Sequence, residues 1–273
     1  MQSHRPLRIG GVPEHFNLPF HLLLEDGGTA AFGWRDYPGG TGAMLAALDA
    51  DEIDLALVLT EGAAAYLARG GQAVVPGLWV ASPLVWGIHT GAASPYHTLA
   101  DLRGKPFAIS RKGSGSQLMA YLLARQEGWP AETVSFVEVG NLAGAVQALA
   151  HVEAAGFLWE RFTTHPLVAD GTFRRLGDLP APWPAFAVAV RPDVWAERSA
   201  QVVALMEQAL DKACVLAASA EAPALFATRY GLAADQAAAW LAQTRWAYPW
   251  AQMPTQPLLA DVTATLRDVG AVG

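Results

Sequence analysis

Nine consecutive residues, Ile109-Ser110-Arg111-Lys112-Gly113-Ser114-Gly115-Ser116-Gln117, place glycines and serines between a short apolar run and a helical pattern. A helix start leaves backbone N–H groups unpaired and carries positive partial charge. Ser114 or Ser116 is expected to cap that start, while Gly113 and Gly115 let a ligand approach the bare backbone. The chemistry predicted is a socket for an anionic or hydroxyl-rich group. Ser110 and Gln117 flank it, and Arg111 or Lys112 adds positive charge. The structural alternative is a capped helix start and nothing more.

Other residues able to contact a ligand also follow apolar runs. Glu14-His15-Phe16 comes after the first, Thr60-Glu61-Gly62 after Leu59, and Trp159-Glu160 after Leu158. Ser82 and Trp86 lie in the stretch from Gly70 to Ala100, which has no Asp, Glu, Lys or Arg. Each has a structural alternative. Glu61 at a helix start offsets the macrodipole, Glu14 after Pro13 is a solvated turn residue, His15 fills a structural hydrogen bond, and Trp159 is core. Recurrence just after predicted strands is what groups them.

Several catalytic templates are absent from the sequence. There is no HExxH, no metal-spaced His/Asp/Glu cluster, no GxSxG elbow and no GxxxxGK[ST]. Gly39-Gly40-Thr41-Gly42 is too short for a dinucleotide fingerprint and lacks its third glycine. No catalytic set, metal site or cofactor is therefore expected. Cys214, the single cysteine, sits in a helical run and is expected to be a buried, inert thiol.

Alternating short apolar runs and helical patterns must position these residues. Leu7–Val12, Phe32–Tyr37 and Ile53–Leu59 read as strands, with helices over 18–25, around 40–48 and over 61–69. A second cycle places strands at 106–110, 134–139 and 154–158 and helices at 114–127 and 142–150. Pro180, Pro182 and Pro184 predict a break before a strand at 185–190. Helices are then expected over 197–218, 235–247 and 255–269. The pattern indicates α/β architecture with mostly parallel sheets. Two lobes are expected, residues 1–86 with 187–273 and residues 87–186, with a ligand cleft between them at the strand ends.

Composition limits the partners. A 273-residue chain with 52% hydrophobic and 16% charged residues is built to fold around a core. A net charge of −7 argues against nucleic acid. Pro76 and Pro83 interrupt the uncharged stretch, so no membrane span is expected. The start, MQSHRPLRIGG, has no apolar h-region. A cytoplasmic location is expected, or a periplasmic one if a leader has been lost.

With these segments assembled, the chain resembles the type 2 periplasmic-binding-protein fold, in the branch that binds nitrate, alkanesulfonates, taurine and thiamine-pyrimidine precursors. VPEHF at 12–16, YPGGTGAML at 37–45, EIDLALVLTEG at 52–62, SPLVWGI at 82–88, ISRKGSGSQLMA at 109–120 and FLWERFTT at 157–164 carry the likeness. It is most similar to a small signal-less subgroup first recognised in Candida. The resemblance implies two lobes closing on a small molecule, usually delivered to an ABC-type importer. Carried over, the contacts would fall on Glu14, Phe16, Glu61, Ser82, Ser110, Ser114, Ser116 and the Trp159–Glu160 pair. The iron-linked thiamine-pyrimidine synthases of this fold use a cysteine-rich motif, which a chain with Cys214 alone does not have.

The expected function is binding of a small polar ligand with two unlike ends by a monomer, with an ABC permease as partner if the protein is exported. The serine-glycine turn would take an anion or hydroxyl, and Glu14, Glu61 and Glu160 would answer an amine or other donor. Trp86 or Trp159 would stack on a ring. Two alternatives carry over: a cytosolic enzyme on the same fold with Glu14 or Glu61 as general base, and a ligand-sensing regulatory domain requiring a partner chain.

Overall fold

Eight strands and ten helices are present among residues 5–27, 31–250 and 255–272, which the computed structural model describes. The strands are β1 (Leu7–Gly11), β2 (Phe32–Asp36), β3 (Leu55–Leu59), β4 (Val74–Gly91), β5 (Pro106–Ile109), β6 (Ser135–Glu138), β7 (Gly156–Glu160) and β8 (Phe173–Val190). The helices are α1 (Leu18–Glu25), α2 (Gly40–Asp49), α3 (Thr60–Ala68), α4 (Gly115–Gln126), α5 (Leu142–Ala150), α6 (His165–Ala169), α7 (Pro192–Ala218), α8 (Ala222–Tyr230), α9 (Ala234–Gln243) and α10 (Thr255–Asp268).

The chain forms two units, residues 1–82 with 183–262 and residues 83–182 with 263–273. It passes between them inside β4, inside β8 and again inside α10. In the first unit the strand order is β2-β1-β3-β8. There β1 runs parallel to β2 and β3, and β8 runs antiparallel to β3 with Leu59 opposite Phe186. In the second unit the order is β4-β7-β5-β6. β5 is parallel to β6 and β7, and β4 is antiparallel to β7. Parallel strands joined through helices bury both faces, and Leu55, Ala56, Leu57 and Val58 are fully buried.

The prolines at 180, 182 and 184 do not break the chain as the sequence suggests, because β8 runs straight through them. Alternate residues of a strand present their N–H groups to the same edge. Prolines spaced two apart therefore remove donors from one edge and leave the other intact. Pro180 and Pro182 are exposed, while Leu179, Ala181 and Trp183, which alternate with them, are buried.

Three helical expectations also change. α7 begins at Pro192 rather than Glu197, continuing through a non-helical Arg198. α9 stops at Gln243, four residues short of the expected Ala247, because Arg245 is taken up by strand-like pairing. Its carbonyl accepts the amides of Ala81 and Ser82, and Trp246 bridges to Val80. α6 and α8 were not anticipated. Cys214 is exposed on α7, not buried as its apolar neighbours imply: Ala213 and Leu216 face the core and Cys214 lies off that stripe. No helix among the described residues is long and apolar enough to cross a membrane.

Candidate functional site

In the first unit, β1 and β3 are parallel neighbours, so the residues that follow them leave the same end of the sheet. Glu14 precedes a single 3-10 turn, His15–Asn17, in which all three residues are buried. The carbonyl of Phe16 accepts two indole N–H groups, Trp79 Nε1 at 3.2 Å and Trp246 Nε1 at 3.1 Å. Asn17 accepts from Trp79 at 3.1 Å and donates to the Val12 carbonyl at 2.8 Å. The Phe16 ring lies 5.1 Å from Phe186 and 5.2 Å from Trp240. His15 stacks on Phe16 at 4.7 Å and meets the edge of Trp240 at 4.4 Å. Burial pushes its imidazole down to about 3, so it is neutral at physiological pH. The turn after β1 is thus anchored by an aromatic cluster.

α3 starts directly after β3, which puts Thr60, Glu61 and Gly62 in its first turn. A side chain at Gly62 would collide with Thr41, 2.4 Å from the position of its first carbon. That close approach lets Thr41 Oγ1 accept the Leu59 amide at 3.0 Å. Glu61 is 1% exposed. Its Oε2 accepts Trp183 Nε1 at 2.7 Å, and its Oε1 has no partner. Burial raises the Glu61 carboxyl to about 7, against the lowering by its own backbone amide and the Trp183 indole. A simple macrodipole role does not require such burial. Ser82 is committed elsewhere, since its hydroxyl accepts the Arg245 amide at 3.1 Å.

In the second unit, β5 and β7 are parallel, with Ala108 opposite Phe157, so Ser110–Gln117 and Trp159–Glu160 share one sheet end. Gly113 takes a positive φ of 73°, which glycine adopts without strain, and its amide donates to Gln117 Oε1 at 2.6 Å. Ser114 occupies the N-cap position of α4, but its side chain makes no capping bond. Its hydroxyl instead pairs with that of Ser116 at 2.9 Å, and Ser116 Oγ accepts the Ser110 amide at 3.2 Å. The expectation of a serine cap is therefore corrected: both hydroxyls are buried and bonded to each other. Gly115 opens α4. Arg111 is half-buried, which lowers its guanidinium, and Lys112 is exposed.

Trp86 and Glu160 are directly opposed in the β4–β7 ladder and so share a face. Glu160 is 4% exposed. Its Oε2 accepts both the amide of Thr163 at 2.6 Å and its hydroxyl at 2.8 Å. Burial raises its carboxyl above the ordinary range. Trp86 is buried, with its indole Nε1 unpartnered. Trp159 sits one residue before Glu160 and faces the other way. It stacks on Phe157 at 5.4 Å and packs against the core with Ala108, Ala145 and Leu149.

The structure thus groups Glu14–Phe16 with Thr60–Gly62 in one unit, and Ser110–Gln117 with Trp86 and Glu160 in the other. Trp159 is turned into the core. Trp183 escaped the sequence reading because it lies 122 residues from Glu61. Its one signal was burial alternation with the flanking prolines.

Strand-end residues gathered in two α/β units, with the chain passing between them in two long strands, are features of the type 2 periplasmic-binding-protein fold, and this chain has that fold. Residues 86–179 match the model of the Ca3427-like PBP family within it. The chain is similar to the CA3427 gene product of Candida albicans, at 23% identity and a TM-score of 0.90, over 99% of this chain and 92% of that one. It is also similar to the alkanesulfonate-binding protein SsuA of Xanthomonas axonopodis pv. citri, a structure bound to MOPS, at 20% identity and a TM-score of 0.82, over 100% and 96%. The aliphatic sulphonate-binding SsuA of Escherichia coli gives 21% identity and a TM-score of 0.75, over 99% and 89%. No curated protein matches the sequence.

Proposed function

We propose that this protein binds a small polar ligand carrying a hydrogen-bond donor at one end and an acceptor or anion at the other. The observation that carries the reading is a pair of buried, unpartnered polar atoms of opposite kind. Glu61 Oε1 in the first unit is an acceptor when ionised, and Trp86 Nε1 in the second is a donor only. Leaving such atoms unpaired is costly; a ligand donor answers Glu61 in its unit, and a ligand acceptor answers Trp86 in the other. The start of α4, with Ser114 and Ser116 beside it, supplies further donors to the acceptor end. An aminated heterocycle or an amine-bearing anion has the required chemistry. The sulfonate-binding neighbours support binding as the role, with hand-over to an ABC-type permease where the protein is exported.

Native mass spectrometry of the freshly purified protein, followed by a thermal-shift panel, tests this. Stabilisation by amino-heterocycles or amine-bearing anions is expected. Stabilisation by nitrate and simple sulfonates alone would overturn the two-ended reading.

One observation favours a second reading. A buried carboxyl at about 7 is suited to general-base work, so a cytosolic enzyme using Glu61 is the alternative. Recovery of a bound metabolite unchanged after prolonged incubation argues for binding. Conversion lost in Glu61→Gln with binding retained argues for catalysis.

A further inference from the structure

We infer that Trp183 is the positioning residue for Glu61: it occupies one carboxyl oxygen permanently and so leaves Oε1 as the atom that selects a donor-bearing ligand. The inference rests on the ligand-binding reading above and adds a specificity determinant to it. An indole N–H can donate but never accept. Its 2.7 Å contact therefore fixes Oε2 as an acceptor in both protonation states. The carbonyl oxygen of a neutral carboxyl is its better acceptor, so the bond at Oε2 favours the proton on Oε1, which has no protein partner. Ionised, Oε1 accepts from an N–H or O–H of the ligand; protonated, it offers a donor and rejects the same group.

Trp183 is itself held in place. It is 4% exposed, between the exposed Pro182 and the partly buried Pro184 of β8, and it begins the fully apolar stretch from 183 to 190. Its bond also determines which way the Glu61 carboxyl is turned at the first turn of α3. The segment after β1 brings Glu14 and the neutral His15 to the same sheet end. β3 and residues 183–190 carry no ionisable side chain. α2 carries only Asp49, which at its far end accepts the Tyr66 hydroxyl of α3 at 2.5 Å. The field on Glu61 is set by burial, its own backbone and one indole.

Trp183→Phe keeps the ring and removes the donor. Carbon NMR of the Glu61 carboxyl, assigned by its loss in Glu61→Gln, reads the titration directly in the full-length protein. The midpoint is expected to move upward by about one pH unit in Trp183→Phe, because a hydrogen bond to the ionised form is lost. An unmoved midpoint, with native circular dichroism, would overturn the inference. Calorimetry with 4-aminopyrimidine and pyrimidine, probes differing by one amino group, reads selectivity at a pH where Glu61 is ionised. Wild type is expected to favour the amino compound about tenfold and Trp183→Phe by no more than about threefold. An equal preference in both proteins also overturns the inference. If neither probe binds wild type while the midpoint still moves, the two-ended ligand reading fails and the placement of the Glu61 proton by Trp183 stands.

Discussion

Ser116 Oγ accepts the backbone N–H of Ser110 at 3.2 Å and so ties the first turn of α4 back to the end of β5. The hydroxyl whose position suits capping is instead a brace for the turn. Ser116→Ala strands a partly buried amide and is expected to destabilise the protein by about 1–3 kcal/mol. Ser114→Ala should cost less, since it removes one hydroxyl–hydroxyl contact. Urea denaturation of both variants checks the ranking, and equal losses would contradict it.

The Glu61 carboxyl predicts a stability profile of definite sign. Its folded value near 7 stands above the unfolded value of about 4.3. The folded state therefore holds the proton more tightly, and the contribution is complete below the unfolded value. It is lost as pH rises through about 7. The loss amounts to roughly 4 kcal/mol at most. Glu61→Gln should flatten this slope in the ligand-free protein and melt higher above pH 8. Parallel melting curves across that range would refute the prediction.

Asp54 predicts the opposite slope. Its side chain is buried, and it accepts from Arg5 at 2.5 and 2.8 Å and from Arg8 through both side chain and amide. Burial alone would raise the carboxyl, yet these bonds bring it down to about 2. The stability it adds is present above the unfolded value of about 3.9 and disappears as pH falls through about 2. Because Arg5 is half exposed, about 2 kcal/mol is the expected size. Asp54→Asn should melt lower than wild type at pH 6 and converge with it near pH 2. A gap that persists in acid would count against the ion pairs as its source.

Trp86→Phe removes a donor that bonds to nothing in the protein. The ligand-free stability should fall only by the cavity left by the smaller ring, about 1–2 kcal/mol, while affinity for an anionic ligand end drops. A loss well beyond that in the absence of ligand would show that the indole N–H has a structural task.

Much of this arrangement was legible from the order of residues. The strand-then-helix rhythm placed Glu61 and the 110–117 turn correctly, because both follow fully apolar runs whose burial is dictated locally. The two-residue spacing of the β8 prolines was visible too, but its tolerance depends on which strand edge is paired. Trp159 and Glu160 read alike as strand-end residues, yet alternation along β7 sends them to opposite faces. The Trp183–Glu61 bond had no local signature, since it joins segments brought together only by β3–β8 pairing. Cys214 misled because a helical stripe hides one residue and exposes the next.

The division of the chain at 82–83, 182–183 and 262–263 has a consequence for its birth on the ribosome. Synthesis is vectorial, and domains fold as their segments emerge. All four strands of the β4-β7-β5-β6 set are complete by residue 182, whereas the first unit still awaits residues 183–190 of β8. The middle of the polypeptide can mature while its beginning waits, exposed, for a strand encoded a hundred residues later. The nascent β3 thus keeps one edge unpaired until β8 emerges.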